Sequence, residues 1–235
     1  MKKGIYILGL FTALIVVLSG CEKKITSWDN SKITYFVTFE LEGDQVMTIP
    51  VGQAYAEPGY KAMEGETDVT GDVDVSGSID QNSLGVYTLT YSAVNGDGYS
   101  SSVSRTVIVY DPSAPSDDFS GTYTTAITRT ESDGTNPRDY AAEMTITKVA
   151  QGIFYVDCLL GGTYSIGYGY GASYAMTGYL SLNSDYTLTL LSSYVRGWGD
   201  GLEGFQNGVY DPVTGLPYWE SIYASGDIYA VTASK

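Results

Sequence analysis

Apolar and polar residues alternate with a period of two along most of this chain, the pattern of strands that bury one face. Residues 33–42 set the theme: Ile33, Tyr35, Val37, Phe39 and Leu41 alternate with Thr34, Phe36, Thr38 and Glu40 before Gly43-Asp44 breaks the run. Further short strands are predicted over residues 46–51, 69–79, 85–95 and 100–110, parted by Pro58-Gly59, Asn82-Ser83 and Asn95-Gly96-Asp97-Gly98. No helical period occurs between residues 33 and 110, so this first domain is predicted to be a β-sandwich of the size of an immunoglobulin-like module.

Residues 111–118, Asp-Pro-Ser-Ala-Pro-Ser-Asp-Asp, read as a linker, stiffened by two prolines and solvated by serine and aspartate. The second domain, residues 119–235, gives eight predicted strands: 121–130, 140–149, 152–160, 163–169, 174–183, 187–194, 218–223 and 227–232. Short connections between them predict an antiparallel meander that closes into a β-barrel, with a second sandwich as the alternative.

Residues 1–20 belong to neither domain. Lys2 and Lys3 precede an apolar run over residues 5–18, too short to span a bilayer comfortably, which is the layout of a secretory signal. Leu18-Ser19-Gly20-Cys21 resembles the lipobox of bacterial lipoproteins, which implies lipidation of Cys21 and a polar tether over residues 21–32. A lipid anchor holds a protein on a membrane without a spanning segment. The expected location is the cell envelope, lipid-anchored to the outer membrane, with the face open.

The chain holds 27 acidic and 12 basic residues and has a formal net charge of −15, which loss of Lys2 and Lys3 makes more negative still. Such a balance excludes nucleic acid as a partner. Once Cys21 is lipidated only Cys158 remains, so no intramolecular disulfide is expected. There is no histidine. That removes Ser-His-Asp and Cys-His catalysis together with the commonest metal ligand. Cys158 lies in Phe154-Tyr155-Val156-Asp157-Cys158-Leu159-Leu160, which reads as buried strand and makes it an inert core thiol. Among 27 acidic residues a glycosidase pair is conceivable, yet none stands in a catalytic context. The chain is therefore read as a non-enzyme without a cofactor.

Pro58-Gly59-Tyr60, Asp68-Val69-Thr70-Gly71-Asp72-Val73, Gly77-Ser78-Ile79-Asp80, Gly85-Val86-Tyr87-Thr88-Leu89-Thr90-Tyr91 and Arg105-Thr106-Val107-Ile108-Val109 resemble the bacterial Ig-like module of surface proteins and some insecticidal crystal proteins. The resemblance implies a spacer or an interaction domain. Phe119-Ser120-Gly121-Thr122-Tyr123 is similar to the opening of lipocalin-like, or calycin-like, barrels. Ala150-Gln151-Gly152-Ile153-Phe154-Tyr155, Leu159-Leu160-Gly161-Gly162, Gly167-Tyr168-Gly169-Tyr170-Gly171, Trp198-Gly199-Asp200-Gly201 and Tyr210-Asp211-Pro212-Val213-Thr214-Gly215 resemble a group of Bacteroidetes lipoproteins of unassigned function. That resemblance implies an outer-membrane or surface location, often beside polysaccharide-uptake systems, and supplies no catalytic residue.

Two motifs fail on context. Gly167-Tyr168-Gly169-Tyr170-Gly171-Ala172 fits a dinucleotide-binding pattern formally, but residues 173–180 after it are β-like rather than helical. Asp72-Val73-Asp74-Val75-Ser76-Gly77 opens like a calcium loop, but its twelfth position is Ser83 where a glutamate is needed, so no metal site is expected. The functional candidates are aromatic. Sugar rings stack on tryptophan and tyrosine while carboxylates bind their hydroxyls, and Trp198, Asp200, Tyr210, Asp211 and Trp219 could supply both from loops at one barrel end. Polysaccharide is the leading partner. Adhesion to another protein through the Ig-like domain is the alternative.

Overall fold

A computed structural model describes residues 33–235 of the chain; the signal segment, Cys21 and the tether lie outside the described residues. Residues 33–36 are irregular, and seven strands come next: β1 (Val37–Leu41), β2 (Val46–Pro50), β3 (Tyr60–Glu64), β4 (Thr67–Asp68), β5 (Asp74–Ser76), β6 (Gly85–Val94) and β7 (Ser100–Tyr110). They form two sheets, β1-β3-β4 and β2-β7-β6-β5, with β2 parallel to β7 and the other pairs antiparallel. The apolar cores are small, Val37, Ala62 and Ala93 in one cluster and Ile49, Val107 and Val109 in another.

A buried cation supplements them. Arg105 is fully enclosed, donating to the carbonyls of Glu42 (2.7 Å), Gly59 (3.0 Å) and Asp44 (3.0 Å) and pairing with Glu57 at 3.2 Å. Glu57 also accepts from the hydroxyls of Tyr55 and Tyr91, each at 2.6 Å. Burial works to raise the pKa of Glu57, but these bonds, one from the Gly59 amide and the Arg105 charge outweigh it and leave it below the ordinary value.

Eight further strands make one antiparallel sheet: β8 (Gly121–Thr130), β9 (Arg138–Ala150), β10 (Ile153–Val156), β11 (Met176–Leu182), β12 (Leu188–Val195), β13 (Gly204–Asp211), β14 (Leu216–Tyr223) and β15 (Asp227–Ser234). Their order is β12-β11-β10-β9-β8-β15-β14-β13. The two end strands nearly meet, through the bridge Thr187–Val209 and the bond from Tyr210 N to Tyr186 O. The sheet is thus a nearly closed barrel and not a second sandwich.

Alternation fills its interior. Along β14 Pro217, Trp219, Ser221 and Tyr223 point in, and along β15 Asp227, Tyr229, Val231 and Ala233 do. They join Tyr123, Ile127, Met144, Ile146, Phe154, Met176 and Leu180 in a packed core. A small barrel filled in this way leaves no lipocalin-style internal chamber. Any ligand must be met at an end or on the wall.

Three strand expectations need correction. The one over residues 152–160 stops at Val156, so Cys158, though buried, lies outside any strand. Residues 163–169 form a π-helical turn (Thr163–Gly167) instead of a strand. Residues 69–79 contain a 3-10 turn (Thr70–Asp72) and only a three-residue strand. The real strands β3 and β13 carry no clear alternation of their own. Residues 111–118, solvated on composition, are tied down: Gln151 Nε2 donates to the carbonyls of Pro112 and Ala114, and Lys148 Nζ to that of Ser116.

Candidate functional site

Between β10 and β11 the chain does not turn back directly but runs a strap of residues 157–175 across one end of the barrel. Its first half is a plug. Leu159 and Leu160 are fully buried, and the Leu159 carbonyl accepts from Trp219 Nε1 and Ser221 Oγ, both at 2.8 Å. Gly161 and Gly162 come next, with φ of 62° and 95°. A Cβ at Gly161 would lie 2.7 Å from Ile127, and one at Gly162 2.7 Å from Ala142, so only glycine passes through this gap. Cys158 sits in the plug, buried, its sulfur accepting from the Gly162 amide, and burial pushes its thiol pKa up.

The second half of the strap turns outward and carries Tyr164, Tyr168, Tyr170 and Tyr174. The hydroxyls of Tyr164 and Tyr229 share a bond of 2.6 Å, and those of Tyr168 and Tyr140 one of 2.5 Å. These bonds fasten the strap to the wall. The connection between β12 and β13 arrives beside it. Gly197 N donates to Ser173 O at 2.7 Å, and a Cβ at Gly197 would strike the Tyr174 ring at 2.5 Å, so glycine is what lets the two segments touch. Gly199, at φ 78°, completes the turn that presents Trp198.

Trp198 is 41% exposed. Its ring lies 4.8 Å from that of Tyr174, 4.9 Å from Tyr164 and 5.9 Å from Tyr223. Tyr170 and Tyr174 are themselves 5.5 Å apart, nearly edge to face. With Trp198 they line a recess of about 260 Å³. Asp200, two residues after Trp198, accepts the Tyr223 hydroxyl at 3.0 Å. Burial first, then this bond, raises the Tyr223 pKa, so the phenol stays protonated and holds the carboxylate in place.

The five residues expected to act together do not meet. Trp198 and Asp200 are at this end. Tyr210 and Asp211 end β13, about 25 Å along from its start next to Trp198. There Tyr210 is buried, stacked on Phe119 with centroids 4.8 Å apart, and Asp211 accepts from Val213 N and Thr214 Oγ1 to close the hairpin turn. Trp219 is wholly buried. Its indole is part of the core and lies behind the plug, since an inward position on β14 leaves it no route to a surface ligand.

The strap's contribution is absent from the set of residues that the sequence pattern selects. Alternation assigns Tyr164, Tyr170 and Tyr174 to the packing of the wall, yet they build the surround of Trp198. A signal exists, because tyrosine between glycines at 168 and 170 suits exposed turns as well as strands. Among the described residues no group of three or more potential metal-ligating side chains gathers, and no helix is long and apolar enough to cross a membrane.

Comparisons with known proteins bear on most of the chain. A family model of a C-terminal domain matches residues 111–235, and that of the Ig-like domain of bacterial surface proteins matches residues 39–109. No curated protein matches. Among solved structures, the lipoprotein BT2262 from Bacteroides thetaiotaomicron is 39% identical, covering 85% of this chain and 100% of that one, with a TM-score of 0.48. The structure of CBM51-2 in complex with GlcNAc and INT domains from Clostridium perfringens ZmpB is 18% identical over 51% of this chain and 31% of that one, with a TM-score of 0.29, a likeness too slight to bear on fold or ligand. Sequence identity and the two family models decide the matter: the chain belongs to the family of the Bacteroides lipoprotein BT2262, an Ig-like domain of bacterial surface type followed by the family's C-terminal barrel domain.

Proposed function

We propose that this protein is a non-catalytic lipoprotein of the outer membrane, anchored through Cys21, that binds carbohydrate on the aromatic face around Trp198. In this reading residues 21–32 are the tether, residues 33–110 the spacer and residues 119–235 the ligand domain. The observation that carries it is the half-exposed indole set among tyrosines beside a carboxylate held in place by Tyr223. A pyranose ring presents an apolar face of C–H groups that complements the negative face of an indole, while its hydroxyls need acceptors such as Asp200. Kinship with a Bacteroides lipoprotein fits the envelope setting.

The test is retention of the mature chain on a panel of immobilised polysaccharides, neutral and acidic. Trp198→Ala is expected to weaken binding by about 2 kcal/mol, roughly thirtyfold, as truncation of a central aromatic anchor does. Unchanged retention of that variant on a polysaccharide held by the wild type would refute the assignment.

A second reading, adhesion to a protein through the Ig-like domain, draws on Phe36 and Tyr99. Both are exposed, with ring centroids 5.5 Å apart. In that case Phe36→Ser, and not Trp198→Ala, would abolish adhesion of cells that display the intact protein.

A further inference from the structure

The turn Ala172–Tyr174 stands between two recesses rather than beside one. Tyr170 and Tyr174 face the aromatic recess with Trp198. On the other side Ala172 and Ala175 border a larger recess, about 380 Å³, lined also by Glu143, Asp157, Ser165 and Thr177. Ala172 lines one and Tyr174, two residues on, lines the other. The crest is low, since Ala172 and Ser173 are exposed and small.

The chemistry of the two recesses differs in a useful way. The first is aromatic. The second is apolar over most of its lining, with Ile166 and Cys158 beside the two alanines, and carries a few oxygen acceptors among them: Asp157 Oδ1 receives the Thr145 amide at 2.8 Å, and the Glu143 carboxylate makes no hydrogen bond or ion pair with any of the described residues. Thr177 Oγ1 donates to Tyr194 O at 3.1 Å and keeps its lone pairs for a further donor. A stacking surface followed by a set of underused oxygen acceptors suits a ligand with an apolar face and many hydroxyl donors.

Resting on the carbohydrate reading above, we infer that the site is two recesses long and takes an uncharged oligosaccharide: one ring stacks on Trp198, the chain crosses the turn at Ser173, and hydroxyls of the next ring donate to Glu143 and Asp157. A monosaccharide fills only the first recess. A uronic or sulfated unit is disfavoured in the second, because its charge would face two carboxylates.

The experiment is titration calorimetry of the intact mature chain with mono- to pentasaccharides cut from a neutral polysaccharide that it retains. Affinity is expected to rise about tenfold between one unit and two or three, the scale of a hydrogen bond to a charged group, and to level off thereafter. Glu143→Ala, an exposed change that leaves the core untouched, is expected to erase that rise without altering monosaccharide binding. A flat ladder, or a rise that Glu143→Ala does not touch, overturns the second recess while Trp198-dependent binding leaves the carbohydrate reading standing. If no sugar of any length binds in a Trp198-dependent way, the carbohydrate reading fails and takes this inference with it.

Discussion

Two tryptophans of the barrel, twenty-one residues apart, do opposite work. Trp219 is buried, and its Nε1 donates to Leu159 O, so replacing it removes a large core side chain and one of the two donors that hold the plug. Trp219→Ala is expected to cost about 3–5 kcal/mol in stability, seen as a lower urea midpoint. Trp198→Ala, which removes ring contacts with Tyr164 and Tyr174, should cost about 1–2 kcal/mol, less than Trp219→Ala, and weaken binding as well. Acidic residues divide in a similar way. Asp111, Asp133, Asp185 and Asp211 each accept from side chains and amides two or three residues on, and their pKa values are lowered by the serine or threonine hydroxyl first and the amide next. Glu57 is lowered too, as the acceptor of the Arg105 cluster. A carboxyl whose folded pKa lies below its unfolded one stabilises fully above the unfolded value, 4.5 for Glu57 and 3.8 for these aspartates, and loses that contribution as pH falls through the folded value. The melting temperature is therefore expected to be flat from neutrality to about pH 5 and to drop below it. Glu57→Gln should lower the melting temperature at pH 7, by leaving Arg105 buried without its counter-charge, and should shrink the drop between pH 5 and pH 3.

At the scale of elements, the strap of residues 157–175 both closes the barrel and builds the site, and its glycines separate these tasks. Gly161 has a positive φ and no room: Ala there combines left-handed strain with overlap on Ile127 and Val231, about 2–4 kcal/mol. Gly169 has a positive φ and nothing within 4 Å, so Ala there should cost about 1 kcal/mol from strain alone. Thermal melts of the two variants test the division, and equal losses would contradict it. The same stretch shows how far patterns carry. The strands β6, β8, β9, β14 and β15 are legible because their buried positions alternate with exposed or half-buried ones. Residues 163–169 mimic that alternation with tyrosine and glycine, but the paired left-handed glycines ahead of them redirect the chain into a helical turn. Strand β13 is illegible for the opposite reason: Gln206, Asn207 and Gly208 look like a turn, and they form a bulge held by Glu220, which accepts from both side-chain amides. Strand β3, Tyr-Lys-Ala-Met-Glu, pairs in register with β1 despite weak strand formers. As for the site, Trp198 and Asp200 can be read from their glycine-flanked turn. The strap's tyrosines cannot, because only the fold shows that residues 164–174 arrive next to residue 198.

Topology at the scale of the whole molecule gives the site a direction. The chain coming from the Ig-like domain enters the barrel at Gly121, and β8 runs from there to Thr130, which pairs with Ile228 near the turn after Tyr223. Strand β12 ends at Val195, just before Trp198. The aromatic face is thus at the end of the barrel opposite the one at which the chain enters from the Ig-like domain. On the proposed carbohydrate reading, charge then sets which glycans the protein takes. With 27 acidic residues against 12 basic ones the protein repels polyanions, and Asp200, Glu143 and Asp157 at the site face add local repulsion. Such repulsion between exposed charges is screened over about 8 Å at physiological ionic strength and over about 30 Å at 0.01 M. Raising salt from about 0.01 to about 0.5 M should therefore leave the affinity for a neutral oligosaccharide unchanged within about twofold and strengthen the weak binding of an acidic one. Affinity for the neutral ligand that falls steeply with salt would mean that ion pairing, and not stacking on Trp198 with hydroxyl bonds to carboxylates, holds the sugar.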